Sequence, residues 1–468
     1  MAKSYLGKLV LHWCDECGTP VLGKRCSCGA ETRQVQVTPP GDIRPAFQAD
    51  IRHINNLYNS HFGVDLIPDN HIVVLNKIPD KDRMEEVIMG GAVVCAIRYL
   101  PTDRRWEVLP RLHCTLYSKP EKGFVIADDG AIDSIKSGSS LLAPGLVDIH
   151  PDVKEGDEVF ILDREGNCIG AGRARVSAEE AVKMERGQVV RTRKAGQGIC
   201  IPKESTWEEA VESNRTILKN VETEAVNFVK SVKNKNPDLF ASVSYSGGKD
   251  SLATLLVVLK AIGKVPLIFS DTGLEFPETY ENIETVAAKY DLEIIRTGAG
   301  DSFHETLEKE GPPSVDARWC CSVCKLNPVK ELIKENWGEC LSFIGQRKYE
   351  SLARMKSPRI WRNFKVQVQL SASPIQHWTA LHVFLYLFQE KAPYNELYKR
   401  RIDRTGCFMC PSSDIATFEI IKNEYPDLWK KWDDKIEEYR EKHGLPESWA
   451  VNFEWRKRGE TDDTSSYT

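Results

Sequence analysis

The stretch Ser244-Tyr245-Ser246-Gly247-Gly248-Lys249-Asp250-Ser251 constrains the fold more than any other part of the chain. It follows an apolar run, Leu239 to Val243, with the length of a buried strand. It precedes Leu252-Ala253-Thr254-Leu255-Leu256, which has the composition of a buried helix. A strand, a glycine turn and a helix N-terminus together make an anion site. The glycines let backbone N–H groups approach a phosphate, and the helix dipole favours its charge. Ser246 and Ser251 add hydroxyl donors and Lys249 adds a point charge. The spacing is neither a Walker loop nor a dinucleotide fingerprint.

Two further segments follow in order. Asp271-Thr272-Gly273-Leu274-Glu275-Phe276-Pro277-Glu278-Thr279 comes after a second strand-like run, Pro266 to Ser270. Gly345-Gln346-Arg347-Lys348-Tyr349-Glu350-Ser351-Leu352-Ala353-Arg354 comes after a third, Cys340 to Ile344. Helical patterns at Pro277 to Tyr290 and about Asn327 to Asn336, and a strand at Leu292 to Arg296, complete an alternation. That alternation predicts an α/β domain with a doubly wound parallel sheet and its ligand at the C-terminal strand ends. The three segments resemble the PP-loop, the D-T-G-x-x-F-P-E-T segment and the G-x-R-x-x-E-S-x-x-R segment of the ATP-pyrophosphatase and phosphoadenosine phosphosulfate (PAPS) reductase superfamily.

The resemblance implies an adenine nucleotide alpha hydrolase-like fold. It implies a nucleotide site at Ser244, Ser246, Gly247, Gly248, Lys249, Asp250, Ser251, Asp271, Thr272, Gly273, Gly345 and Arg347. Lys249, Asp250 and Asp271 are the expected catalytic residues. Lys249 and the loop amides would stabilise a transferring phosphoryl group, and Asp250 or Asp271 would hold Mg2+. Asp250 is equally readable as a helix-capping carboxylate. Arg347 and Arg354 are readable as phosphate ligands or as partners of Glu350.

Fourteen cysteines without a secretory signal point to a reducing compartment and to metal ligation, not to disulfides. Cys14, Cys17, Cys26 and Cys28 form C-x2-C-x8-C-x-C, two close pairs that suit one tetrahedral Zn2+. A segment this short buries little core, so the metal would supply folding free energy. A second set combines Cys320, Cys321 and Cys324 with Cys407 and Cys410. Its C-C, long gap, C-x2-C pattern resembles the 4Fe–4S site of adenylylsulfate (APS) reductases. Cys324 also permits a C-x2-C plus C-x2-C arrangement that suits zinc equally well, and a third reading has three ligands and an open iron that carries sulfur, as in the cluster-dependent tRNA thiolases. Cys95, Cys114, Cys168, Cys200 and Cys340 read as buried structural cysteines.

Six segments are expected. Residues 1–40 form a zinc ribbon and 41–130 a small α+β domain. Residues 131–198 alternate short strands with Gly/Asp turns, as a small β-barrel does. There the order A-P-G-L at Ala143, E-G-D-E-V at Glu155 and G-A-G-R-A at Gly170 resembles a PUA domain, an RNA-binding module of RNA-modifying enzymes. Arg186, Arg191, Arg193 and Lys194 supply the basic residues that phosphate contact requires. Residues 199–238 read as a helical linker, with Ser205 and Glu208 as a capping box. Residues 239–415 form the catalytic domain and 416–468 a helical extension.

A net charge of −5 and a pI near 6.1 exclude a global basic field, so any RNA grip is local. No apolar run reaches membrane-span length, and the expected location is the cytoplasm. The resemblances together imply an iron–sulfur PP-loop enzyme that adenylates an RNA base and inserts sulfur, with tRNA or another structured RNA as the expected partner, ATP with Mg2+ as co-substrate, and a sulfur donor or reductant besides. Two alternatives stand: a PAPS or APS reductase, and a non-catalytic RNA-binding protein. Reductases of that kind carry a cysteine in a C-terminal E-C-G-[IL]-H segment. Here no cysteine follows Cys410, and Lys442-His443-Gly444-Leu445 is the nearest echo.

Overall fold

A computed structural model describes residues 9–193 and 198–457. Contacts divide the chain into two compact units. One holds the chain up to Ile217 together with Ala380–Phe388, and the other holds Leu218–Thr379 and the chain from Gln389 onward.

The first unit begins with a three-stranded antiparallel ribbon, Leu11–Cys14 between Thr19–Val21 and Arg33–Val35. Arg33 ties it to the next sheet. Its guanidinium meets Asp15 at 2.8 Å and donates to the carbonyls of Gly90 and Gly91, both at 2.7 Å. The next sheet is five-stranded and antiparallel, running from Arg44–Pro45 to Arg105–Pro110. The helix Gln48–Phe62 buries Ile54, Tyr58 and Phe62 at i, i+4 and i+8, one stripe of a 3.6-residue period. Tyr58 and Phe62 pack on Phe160 of the following sheet, so the two sheets share one apolar core.

That following sheet has six strands, in the order Leu141–Leu142, Gln188–Thr192, Cys168–Ala174, Glu158–Leu162, Phe124–Ala127, Leu146–Ile149. Phe124–Ala127 pairs in parallel with Glu158–Leu162, and the other neighbours are antiparallel. The strand Phe124–Ala127 precedes residue 131 and belongs to this sheet.

The helical stretch after Ile201 is two helices, Trp207–Ser213 and Arg215–Lys235. Its capping box lies one residue beyond the expected pair. Thr206 accepts from the Glu209 N–H, and Glu209 accepts from the Thr206 N–H at 2.7 Å. Ser205 is engaged elsewhere, donating to the Gly18 carbonyl at 2.8 Å. Asn214 interrupts the helix because its side chain serves the ribbon. It donates to the Pro20 carbonyl at 2.9 Å and accepts from the Leu22 N–H at 2.8 Å.

The second unit is the α/β domain. Its sheet order is Ile294–Gly298, Leu267–Asp271, Phe240–Ser244, Cys340–Ile344, Val366–Ala372, Ile360–Asn363. The first five strands are parallel, and the last is an antiparallel edge. The strand order reverses between Phe240–Ser244 and Cys340–Ile344, which is where open parallel sheets bind ligands. Helices Ile415–Glu424 and Pro426–Lys442 bring Phe418, Trp429 and Trp432 into a cluster with Phe453 and Trp455 from the chain after them.

Asn214→Ala removes the bonds that hold the ribbon to the helix and leaves a buried N–H and carbonyl unsatisfied. It is expected to destabilise the first unit by about 1–3 kcal/mol, read as a lowered urea midpoint for that unit's transition.

Candidate active site

The glycine turn lies at the reversal point of the sheet. Gly248 caps the helix Lys249–Ile262. Gly247 has φ 70°, a left-handed conformation, and a Cβ there would meet Thr279 Cγ2 at 2.9 Å. The turn is braced from a segment about 150 positions later in the chain. Tyr398 Oη accepts from the Lys249 N–H at 2.9 Å, and Asn395 donates to the Gly247 carbonyl at 3.1 Å. Ser251 Oγ donates to the Gly248 carbonyl at 2.8 Å and accepts from the Ser246 N–H at 3.3 Å. Ser244 Oγ lies 2.9 Å from Ser342 Oγ, a cross-strand contact beneath the loop.

Asp250 is not a cap but an ion-pair partner. Its Oδ1 accepts from Arg347 Nε at 2.7 Å, and its Oδ2 accepts from Lys249 Nζ at 2.8 Å. Arg347 is 3% exposed and Lys249 8%, so two buried cations share the half-buried Asp250 carboxylate. Burial alone would raise the Asp250 carboxyl. Arg347 and then Lys249 outweigh it and hold the group below its ordinary value. Burial likewise opposes the Lys249 ammonium, and Asp250 holds it above its ordinary value. Gly345 makes the triad possible. A Cβ at this position would sit 2.4 Å from the Asp250 backbone carbon, so only glycine lets this strand end pass against the first turn of the helix. Arg354 pairs with Glu350, which also accepts from the Arg347 N–H at 2.7 Å.

Asp271 stands at the end of the neighbouring strand. Its Oδ1 accepts from the Gly273 N–H at 3.0 Å and from Tyr280 Oη at 2.8 Å. Its Oδ2 has no partner among the described residues and is available to a cation. Thr272 is turned to Glu275, donating from its N–H at 3.1 Å and its hydroxyl at 2.8 Å.

The second cysteine set is pinned to this same loop. Phe408 N–H donates to the Leu274 carbonyl at 2.9 Å, and Cys407 Sγ lies 3.7 Å from Thr272 Oγ1. Ser270 Oγ donates to the Cys324 carbonyl at 3.2 Å. Cys320 and Cys321 end the short helix Trp319–Cys321, and a π turn, Ser322–Leu326, carries Cys324 into the aromatic cluster. Lys325 follows it, its Nζ 3.6 Å from Glu275. Burial works against this ammonium, but Cys407, Glu275, Cys321 and Cys410 hold it above its ordinary value. Hydrogen bonding from Cys320 lowers Cys321 to about 6, with Lys325, Arg318 and Arg404 acting in the same sense. Burial pushes Cys324 up to about 12. The soft thiol donors and their cationic surroundings fit a thiolate-bound metal centre, although among the described residues no three of these thiols close within 4.8 Å.

The N-terminal set does close. All ligand atoms of Cys14, Cys17, Cys26 and Cys28 lie within 4.8 Å of one another. The pairs Cys14–Cys28 and Cys17–Cys26 are each 3.8 Å apart. A tetrahedron with metal–sulfur bonds of about 2.3 Å has sulfur–sulfur edges of about 3.8 Å, so the set fits a four-coordinate ion.

Of the basic residues expected to meet RNA, Arg191 and Arg193 lie on or beside the strand Gln188–Thr192, and Arg186 lies just before it, exposed. Lys194 lies outside the described residues. Tyr398, Asn395 and Lys325 were not legible as site residues, because each reaches the site only through the fold. Among the described residues no helix is long and apolar enough to cross a membrane.

The phosphoadenosine phosphosulfate reductase domain model matches residues 241–413, and the PUA domain model matches residues 123–195. The chain is similar to an uncharacterized protein of Methanocaldococcus jannaschii, with 40% identity over 97% of both chains. It is similar to adenosine 5'-phosphosulfate reductase 2 of Bacillus subtilis, with 30% identity over 36% of this chain and 72% of that one. A solved PAPS reductase from Candida auris, in a phosphate complex, aligns with a TM-score of 0.32 and 23% identity over 42% of this chain and 96% of that one.

Asp250→Asn leaves Lys249 and Arg347 without their shared counter-charge. The expected loss is about 3 kcal/mol in chemical denaturation of the α/β unit. Because the folded carboxyl is held below its ordinary value, the stabilisation is complete above about pH 4 and disappears as pH falls through the folded value. The gap between wild type and variant is therefore expected at neutral pH and to shrink in acid.

Proposed function

The chain belongs to the PAPS reductase family of PP-loop proteins and carries a PUA domain, and from that premise we propose that it is an enzyme that adenylates a base of an RNA, most specifically of a tRNA, and replaces the activated oxygen by sulfur. The observation that carries this reading is the braced PP-loop in one chain with a PUA domain, an RNA-binding kind of module, and with a five-cysteine set tied to the nucleotide loop.

The chemistry balances without an oxidant. ATP binds with its phosphates on the amides of Ser246 to Ser251. The carbonyl oxygen of a base attacks the α-phosphate, the bond to the bridging oxygen breaks, and pyrophosphate leaves. A hydrosulfide-level sulfur then adds at the base carbon, AMP leaves with the oxygen, and the thiol proton is released. Lys249 and the loop amides stabilise charge on the transferring phosphoryl group. Asp271, through Oδ2, would hold Mg2+, which would supply neutralisation of the phosphate charge, since Asp250 is given over to Arg347 and Lys249. Cys320, Cys321, Cys407 and Cys410, with Cys324 beside them, would hold an iron–sulfur cluster whose bound form supplies sulfur handling. Cys14, Cys17, Cys26 and Cys28 would hold zinc.

A second reading is favoured by the named relatives, which are APS reductases. Sulfonucleotide reduction needs a mobile thiolate to attack sulfur, and the chain after Cys410 holds no cysteine to provide it.

ATP turnover to AMP and pyrophosphate, measured with and without bulk tRNA, separates the readings. RNA-stimulated pyrophosphate release is expected, and Lys249→Ala is expected to reduce it by about 100-fold. Sulfite release from APS or PAPS with a reductant, without RNA stimulation, would establish the reductase instead.

Anaerobic purification with metal and sulfide analysis tests the cofactors. About four irons with acid-labile sulfide and about one zinc per chain are expected. Cys407→Ala should lose the iron alone, and Cys14→Ser the zinc alone. Zinc without iron in the wild type would exclude the cluster.

A further inference from the structure

The first unit holds a cavity of about 490 Å³ whose lining is almost wholly guanidinium: Arg98, Arg173, Arg175, Arg191 and Arg193, with Thr192. Arg98 comes from the five-stranded sheet, on Ala92–Leu100. The others come from the ends of two paired strands of the six-stranded sheet, Cys168–Ala174 and Gln188–Thr192.

Two buried carboxylates set three of these side chains. Glu107 takes Arg98 at 2.7 Å and Arg173 at 3.3 Å. Glu158 takes Arg173 at 2.9 Å and also takes Arg193. Such pairing removes rotamer freedom and fixes the planar forks in advance.

The other two arginines are not neutralised. Arg175 meets only the neutral Gln188, at 3.3 Å, and Arg191 has no side-chain partner among the described residues. Both are exposed. Arg191 also stands directly opposite Arg173 across the ladder, a like-charge pairing that costs stability unless an anion lies over it. A third, independent sign is neutral. The Thr192 hydroxyl, in the same wall, is buried with no hydrogen-bond partner. A donor left unmet in a chamber of five cations and two carboxylates is matched by an oxyanion.

We propose that this cavity binds a phosphate group of the RNA, with Arg175 and Arg191 receiving it at the rim and the Thr192 hydroxyl donating within. Arg98, Arg173 and Arg193 are held ready by Glu107 and Glu158. The proposal rests on the RNA-binding reading given above and deepens it. The gradient from exposed to buried arginines suits an extended polyanion that enters from the surface. The contribution of Arg98 brings the five-stranded sheet into the RNA surface.

The test uses the full chain, bulk tRNA and the double variant Arg175→Ala/Arg191→Ala, which disturbs no buried ion pair and should keep the wild-type melting temperature. Fluorescence anisotropy over a salt series is expected to show at least about five-fold weaker tRNA binding. The slope of log K against log salt should shallow by about one. Hydrogen exchange with inorganic phosphate should slow at residues 170–176 and 188–193 in the wild type and not in the variant. Wild-type tRNA affinity in a folded double variant would overturn the cavity site and leave the RNA reading standing. Absence of tRNA binding by the wild type would overturn the RNA reading, and the proposal with it. Phosphatase-treated tRNA identifies the source: unchanged wild-type affinity assigns a backbone phosphate, and a loss confined to the wild type assigns the terminal one.

Discussion

The clamp of Lys249, Asp250 and Arg347 is the interaction on which the α/β unit depends. Three charges removed from water are tolerable only when each faces an opposite one at hydrogen-bond distance. That requirement joins two pieces of chain far apart in sequence, the first turn of the helix after the glycine loop and the loop after Cys340–Ile344. It places the helix start at the strand reversal. Tyr398 and Asn395 complete the brace by satisfying backbone groups of the loop itself. The glycine loop is thus held in one conformation by the protein alone, so little reorganisation of it would be required of a ligand.

The cysteine set extends this arrangement. Cys407 and Cys324 are tied through backbone and side chain to the loop that carries Asp271 and Thr272. Around them the aromatic cluster of the C-terminal helices excludes water on one side. A low-dielectric wall strengthens the attraction between Lys325 and its anionic neighbours, which keeps the ammonium charged, and of the thiols around it Cys321 is lowered while burial raises Cys324 and Cys407. The cysteine set and the Asp271–Thr272 loop are thereby joined.

The first unit solves a different problem, holding several small sheets in register. The ribbon has almost no core of its own and leans on Arg33, Asn214 and Ser205 for its place. The five- and six-stranded sheets instead share buried side chains, with Tyr58 and Phe62 against Phe160. Close packing of that kind has few alternative arrangements, which is why arginines from two sheets can line one cavity.

Local order and short spacing were determined by sequence alone. The glycine turn, the strands and helices around it, the C-x2-C-x8-C-x-C ribbon and the PUA-like strand order each depend on neighbours within a few residues, where periodicity and turn chemistry are decisive. Even there the capping box slipped by one residue, because Ser205 had a partner in the ribbon that no local pattern encodes. Tertiary structure alone decided the rest. It gave Asp250 to Arg347, braced the loop with Tyr398, set Lys325 among the thiols, and gathered five arginines over two carboxylates. Those outcomes depend on which groups meet after burial, and the energy of a buried charge is set by partners that lie tens to hundreds of residues away in the chain.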